Sequence, residues 1–479
     1  MGVSFKSKPG DRSALRGNYL STLENVAQAV GTMGPAATLG TLLPLLISKT
    51  GNATWLLFIG VLAVFILISA SITTFASRYA SAGSLAAFAR MGLGPWPGVV
   101  TGWSYVIAMA FVVASSGISS AYYLAMVWTH FTGTPVSATG AISLVVLVVV
   151  MAWWPAYRDV KLSTKVMLLI EAATVGLILL IIGLAMFRAH HWVDHDQLQA
   201  KGAGFTQIQV GFVLAFMMLA GFESSTTLGE EAKTATSTIP RVMLFCLLPV
   251  GLLFAVGIYC LTALSHTRDL ALDQASAPMD ILAQSIGLPT LGWVSSLGVA
   301  LSCFGCAMGG FNAGSRVLFS MARSGQCWAG LAKVHAVNAT PYRALAFFGV
   351  VALAAPVALL SAGVTMAGCM DYLMQIASLG FIGGYFAVCL AAPVYLARRG
   401  LLTSARMVIA VVTLAVIATS LGMSVFPIPD APWRYLPYIF VGLLLAGSLV
   451  SAWCLRSRRA EKAGNSGAVE FPEAAEAAE

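Results

Sequence analysis

Charge is scarce in this chain. Only 10% of its 479 residues are Asp, Glu, Lys or Arg and 58% are hydrophobic, whereas soluble domains carry about 25% charge. A soluble globular body is therefore excluded. Histidine is scarcer still. The six residues, His130, His190, His191, His195, His266 and His335, all fall in expected loops or at the ends of apolar runs, which argues against a buried histidine-based catalytic centre. The eight cysteines are scattered through apolar stretches with no histidine at ligand spacing. Cys303 and Cys306 form a CxxC, but within a continuous apolar helix pattern, where they read as small interface residues. No disulfide framework, metal site or cofactor is expected. No Walker A sequence or loop long enough for a soluble domain is present, which disfavours a nucleotide-driven pump. No charge ring marks a channel, and nothing marks an enzyme.

Apolar runs dominate what is there. Twelve can be drawn, at about 20–47, 54–77, 97–129, 138–154, 163–187, 206–229, 240–264, 289–320, 343–362, 371–396, 404–426 and 434–456. Most reach the roughly 20 residues needed to cross a bilayer core. The expected fold is an all-α polytopic membrane protein with twelve transmembrane helices. A basic arm of about twenty residues precedes the first run, which is long enough to span and is expected to be a span rather than a cleaved leader. Residues 457–479, rich in Ala and Glu, are expected to form a disordered tail.

The net charge of +8 is distributed by topology and is no nucleic-acid signal. With the N-terminus inside, one side holds Lys6, Lys8, Arg12, Arg16, Arg78, Arg90, Arg158, Lys161, Lys165, Lys233, Arg241, Arg316, Arg323, Lys333, Arg343, Arg398, Arg399, Arg406, Arg456, Arg458, Arg459 and Lys462. The other side holds only Lys49, Arg188, Lys201, Arg268 and Arg434. The positive-inside rule then puts both termini in the cytoplasm and the chain in the cell membrane. Asp194, His195 and Asp196 lie in an outer loop and are read as solvated rather than metal-binding.

Two runs are interrupted. The first contains GTMGPAATLG at 31–40, and the sixth contains GFESSTTLG at 221–229. Proline removes a backbone donor and clashes with the preceding turn, and glycine lowers helix propensity by about 1 kcal/mol relative to alanine. The two starts are five helices apart, the spacing of a five-helix repeat whose second copy enters the membrane inverted. Paired Gly/Pro-interrupted segments at matching positions point to a transporter site. A helix broken in mid-membrane offers N–H groups to an anion at one half-helix end and carbonyls to a cation at the other. A zwitterionic amino acid carries both charges. Thr32, Thr38, Ser224, Ser225 and Thr226 add hydrogen-bonding capacity without net charge.

Three passages resemble the amino acid–polyamine–organocation superfamily. They are the glycine-rich break in helix one, GFESSTTLGEEAKTATSTIPR at 221–241, and GSRVLFSMARSGQCWAGLAKVHAVNATPYRAL from Gly314 to Leu345. The resemblance covers nearly the whole chain. It implies a LeuT-like 5+5 inverted repeat: an N-terminal arm 1–19, a transport core 20–396 (repeats about 20–187 and 206–396) and peripheral helices at 404–456. It also implies a secondary permease for amino acids, coupled to protons. The substrate carboxylate would meet backbone at Gly31, Thr32, Met33 and Gly34, and its amino group the carbonyls near Met218, Leu219 and Gly221. Glu223 matches a family position linked to gating and proton response. The aromatic lid six residues before that glutamate is here Met217, flanked by Phe216, with Phe222 beside Glu223; a stacked guanidinium substrate is thereby disfavoured. A helix-five lysine of some proton-coupled relatives is matched most nearly by Glu171, since Lys165 lies about a turn and a half nearer the cytoplasm.

Glu171 and Glu223 are the carboxylates well inside the runs, and an intramembrane ionisable group is a functional hypothesis by default. Glu171 reads equally as a partner for a neighbouring helix or a second proton site. Sodium stays open, with Ser302 as one oxygen donor. Glu24 lies near a helix end where solvent could reach it. Glu230, Glu231, Lys233, Arg241, Arg316 and Arg323 cluster at the cytoplasmic ends of helices six to eight, either as ion pairs closing an inward path or as a solvated rim. Met33, Met217, Met218 and Phe222 flank the breaks and suggest a small or hydrophobic substrate. An amine or polyamine permease, or an exchanger, is the alternative. The expected partners are the small-molecule substrate, a proton and membrane lipid.

Overall fold

A computed structural model describes residues 15–190, 192–200, 204–268, 270–272, 275, 277–423 and 431–466. His191, Lys201 and the arm carrying Lys6, Lys8 and Arg12 lie outside the described residues. Within them the backbone is helical, with no strand and a single isolated bridge, between Leu20 and Ala232.

The helices are α1 (Thr22–Met33), α2 (Pro35–Thr50), α3 (Thr54–Ala76), α4 (Ser84–Leu93), α5 (Pro95–Thr132), α6 (Ala138–Arg158), α7 (Val160–Ala189) and α8 (His195–Leu198). They continue with α9 (Phe205–Leu219), a 3-10 segment Phe222–Leu228, α10 (Ala235–Arg268), α11 (Pro278–Ser285) and α12 (Pro289–Arg323). The last four are α13 (Tyr342–Ser361), α14 (Met366–Arg398), α15 (Ser404–Met423) and α16 (Leu436–Ser466). Helix α16 runs past the end of its apolar stretch, because the residues that follow (Arg456, Arg458, Ala460, Glu461, Lys462) are mostly good helix formers. The remainder of the expected tail lies outside the described residues.

Ten stretches among the described residues are long and apolar enough to cross a membrane, so the chain is a multi-pass membrane protein. One of them, Thr22–Ala76, has 55 residues and contains α1, α2 and α3. Helix α9, with 15 residues, is too short to be among the ten.

The centre is built from α5, α12 and α14, whose apolar windows are 89%, 67% and 67% buried. Helices α15 and α16 are only 22% buried over theirs. Helix α12 packs against α1, α2, α5, α7 and the 3-10 segment, and α14 against α5 and α4. The two interrupted elements are thus enclosed on several sides by other helices.

Two residues expected at the solvent are buried. Glu24 is in the first turn of α1, where its carboxylate accepts the Ser21 backbone N–H at 2.8 Å and closes a capping box. Such a box satisfies orphan donors at a helix start, which favours keeping the carboxylate against the backbone. Asp194 caps α8. It accepts the N–H groups of Asp196 and Gln197 at 3.1 and 3.3 Å, the Gln197 amide at 2.9 Å and His266 Nδ1 at 2.8 Å. Burial pushes its pKa up, but the bonds from Gln197 and His266 outweigh this and hold it below the ordinary aspartate value. Of the Asp194–His195–Asp196 stretch only Asp194 is buried, as the cap of α8; His195 and Asp196 are exposed, and no cluster of three or more metal-type ligands occurs among the described residues.

Candidate functional site

The first interruption is set by two adjacent residues. Gly34 ends α1 and starts α2 with φ 55°, in the left-handed region that favours glycine. Pro35 opens α2, where its missing N–H costs nothing. The second interruption is set by Gly221, φ 97°, between α9 and the 3-10 segment. The following run, FESSTTL, has several residues that compete with their own backbone. Thr226 Oγ1 donates to the Glu223 carbonyl at 2.7 Å and Thr227 Oγ1 to the Ser224 carbonyl at 2.6 Å.

The two interruptions touch. A Cβ added to Gly221 would lie 2.9 Å from Thr32 Cγ2. Ser224 Oγ donates to Thr32 Oγ1 at 3.1 Å and Thr32 Oγ1 donates to the Gln28 carbonyl at 2.7 Å. The space beside α1 is filled by sulfur side chains: a Cβ on Gly31 would overlap Met167 Cε, and one on Gly34 would overlap Cys306 Sγ.

The start of α2 already holds a carboxylate. Glu171, on α7, accepts the Ala36 N–H at 3.2 Å through Oε2 and the Ser302 hydroxyl at 2.5 Å through Oε1. Ser302 Oγ in turn accepts the Ala37 N–H at 2.9 Å. Gly34 N–H is bound to the Val30 carbonyl at 3.0 Å. At this break the Ala36 and Ala37 N–H groups point to side-chain acceptors, while Gly34 completes the last turn of α1 and Pro35 has no donor. Ser302, expected as a possible sodium ligand, is committed to Glu171 and Ala37.

Glu223 is fully buried in the second interruption. Its Oε2 accepts the Tyr385 hydroxyl at 2.5 Å and the Gly221 N–H at 3.1 Å. Among the described residues its Oε1 and the Tyr105 hydroxyl make no bond within ordinary hydrogen-bond geometry, though the two groups lie close enough to interact. Among the described residues, neither Glu171 nor Glu223 has a cationic partner. Phe65, Phe216, Phe222 and Tyr385 pack ring to ring beside Glu223, at centroid distances of 4.7 to 6.0 Å.

The remaining expected residues divide. Met33, Met218 and Leu219 are buried beside the breaks, and Met217 is partly exposed. The Gly221 carbonyl accepts the Ser224 N–H at 2.9 Å. Ser225 is buried and its hydroxyl is unpartnered. Residues missed by inspection of the chain are Tyr385, Tyr105, Gln28 and Asn312. Gln28 donates to the Gly309 carbonyl at 2.9 Å, and Asn312 donates to Gln28 Oε1 at 3.1 Å and Ser163 Oγ at 2.9 Å. Their signal was an amide or phenol inside an apolar run, which in a membrane must find a partner.

Below this network the helix ends are tied together. Arg316, fully buried, pairs with Glu231 through Nε and Nη2 and donates from Nη1 to the Asn312 carbonyl at 2.9 Å. Arg323 pairs with Glu230, at 2.8 Å through Nη1, in a half-exposed position. Tyr19 and Leu20 N–H groups donate to the Glu231 carbonyl at 2.8 and 2.9 Å, and Lys233 N–H donates to the Leu20 carbonyl at 2.9 Å. Part of the expected charge cluster is therefore an interior ion pair rather than a solvated rim. His335 is only half-buried in its turn, accepting the N–H groups of Val337 and Asn338 at 3.3 and 3.2 Å.

A multi-pass helical protein in which two broken helices meet around buried carboxylates belongs, as a class, with membrane permeases. Comparison with known families is specific: the amino acid permease family matches residues 25–452, and the chain belongs to that family. It is 24% identical over 335 residues to the branched-chain amino acid permease BcaP of Bacillus subtilis (strain 168), covering 67% of this chain and 69% of that one. It is 25% identical over 348 residues to an uncharacterized transporter of Mycobacterium bovis, covering 70% and 72%. It is 25% identical over 279 residues to the D-serine/D-alanine/glycine transporter of Escherichia coli (strain K12), covering 55% and 56%.

Proposed function

We propose that the protein is a secondary transporter that carries small neutral amino acids across the cell membrane by alternating access, with protons as the coupling ion. The observation that carries this reading is the start of α2, where backbone N–H groups at a helix break hold a buried carboxylate. A site that binds one carboxylate suits another. The substrate carboxylate takes the place of Glu171 at Ala36 and Ala37, and its ammonium lies towards the carbonyls of α9 and the Glu223 carboxylate. Glu171 leaves the N–H groups when it is protonated, so one proton accompanies the substrate. The relatives named above transport branched-chain amino acids in one case and D-serine, D-alanine and glycine in another, which supports a neutral substrate.

Twelve spans follow if Thr22–Ala76 is divided at the Gly51–Ala53 turn and α9 with its 3-10 segment counts as one discontinuous span. Both termini then lie in the cytoplasm, with the Arg316–Glu231 and Arg323–Glu230 pairs closing the inward path. A second reading, an amine without a carboxylate, is favoured by the occupation of the α2 donors by Glu171 itself. The test is uptake of a labelled panel of amino acids and amines into proteoliposomes, with proton and sodium gradients imposed separately. Uptake of alanine or a branched-chain amino acid driven by a proton gradient is expected; uptake of amines alone, or drive by sodium alone, overturns the reading.

A further inference from the structure

Away from the broken helices, an open cavity of about 480 Å³ lies on the outer side of the bundle between α3, α10, α14 and α15. Its wall is mainly apolar, with Ile66, Leu244, Pro393 and Ile409 among the residues that line it, and it includes the guanidinium-bearing Arg78 and Arg406. Arg78 follows the end of α3 and Arg406 lies in the first turn of α15. Ile66 and Arg78 are separated by about 18 Å of helix rise, so the charged and apolar parts of the cavity lie at different depths along α3. This is not the substrate region: on α3, Phe65 faces the aromatic cluster around Glu223 while Ile66 lines the outer cavity.

Neither arginine has a carboxylate partner among the described residues. Arg78 Nη1 donates to the Thr74 carbonyl at 2.5 Å and to Ser77 Oγ at 3.4 Å, and Arg406 Nη1 donates to the Leu401 carbonyl at 2.7 Å. No bond from either Nη2 is found among the described residues. The Thr73 hydroxyl belongs to a residue that also lines the cavity, and it is buried without a partner among the described residues. Two unneutralised guanidinium groups and a free hydroxyl call for a multiply accepting anion. The apolar wall calls for a hydrocarbon chain attached to it.

We propose that this cavity is a binding site for an anionic phospholipid of the cytoplasmic leaflet, with the phosphodiester held between Arg78 and Arg406 and one acyl chain lying along α3. Basic pockets between membrane helices on the cytoplasmic side bind acidic head groups in this manner. An inorganic phosphate would satisfy the arginines and leave the apolar wall uncovered, so the lipid is the occupant. The lipid ties the otherwise lightly packed α15 to α3 and α14.

The test uses the full chain in detergent, titrated with phosphatidylglycerol or phosphatidylcholine and read by native mass spectrometry and thermal unfolding. One phosphatidylglycerol adduct is expected, favoured at least tenfold over phosphatidylcholine. It should be lost in R78Q/R406Q and retained in R434Q. Ala70→Trp, which leaves both arginines but fills the apolar wall, should remove the adduct too and covers the case in which the double variant does not fold. Inorganic phosphate should give no stabilisation. Equal binding of the two lipids, an adduct unchanged in R78Q/R406Q, or protection by inorganic phosphate alone would overturn the assignment.

Discussion

Replacing Glu171 by glutamine should change the apparent affinity for substrate at alkaline pH far more than at acid pH. In the structure Glu171 accepts two hydrogen bonds, from Ala36 N–H at 3.2 Å and Ser302 at 2.5 Å. Hydrogen bonds to a charged group contribute about 1.5–3 kcal/mol and neutral ones about 0.5–1.5. A glutamine keeps a single neutral acceptor for these donors. The difference over the pair is then about 2–3 kcal/mol, or roughly 30- to 150-fold. At alkaline pH, where the wild-type competitor is ionised, Glu171→Gln should bind substrate tighter by roughly that factor; at acid pH the two proteins should converge. The same variant should equilibrate substrate but not concentrate it under an imposed proton gradient. The assay is substrate-induced quenching or scintillation-proximity binding at pH 5.5 and pH 8.5, paired with dye-reported proton influx in proteoliposomes. Unchanged affinity at both pH values together with normal proton influx would refute the idea that Glu171 and substrate share the α2 donors.

Four further outcomes are expected. Tyr385→Phe removes the short bond to Glu223 and should lower transport with little change in melting temperature, while Glu223→Gln should flatten the pH profile of uptake; a normal profile in Glu223→Gln would remove that residue from the coupling step. Gly34→Ala should destabilise by about 1–2 kcal/mol from backbone handedness alone, with a further loss from overlap with Cys306. Adding Cys306→Ala should recover only the second part in a thermal-melt series. Arg316→Met leaves Glu231 buried without its partner and should cost about 3–5 kcal/mol, whereas Arg323→Met at the half-exposed pair should cost under about 1 kcal/mol. Asp194, held below its ordinary pKa by Gln197 and His266, contributes stability that is present above the unfolded aspartate value of about 3.9 and is lost as pH falls through its lower folded value. Hydrogen exchange at residues 194–199 should therefore converge between wild type and Asp194→Asn in strong acid and differ at neutral pH.

The all-helical, multi-pass character and the two breaks were legible in the chain, because hydropathy and the Gly/Pro content of 31–40 and 221–229 are local signals. Partners were not legible. Glu171 could be seen as an expensive carboxylate, but its bonds to Ala36 and Ser302 bring α2, α7 and α12 together across 135 and 131 positions. Glu223 drew attention for the same reason, yet Tyr385 lies 162 residues away on α14, and a phenol inside an apolar run does not say which group it bonds. Which N–H groups at the first break bond Glu171 and Ser302 was not legible either, since only the backbone geometry tells where α1 stops bonding to itself. Asp194 and Glu24 were misread as open to solvent because capping depends on a helix start whose register hydropathy does not resolve.

The short ladder that joins Tyr19 and Leu20 to Glu231 and Lys233 lies at the very edge of the first apolar run and beyond the sixth, yet it staples the two discontinuous helices together at one end. Those elements cannot travel independently while it holds. A lesion at Tyr19 or Leu20, far from the carboxylates and silent in any inspection of the pocket, would therefore register in a transport assay as though the pocket itself had been altered. Deletion scanning from the N-terminus should find a cliff at this point rather than a slope.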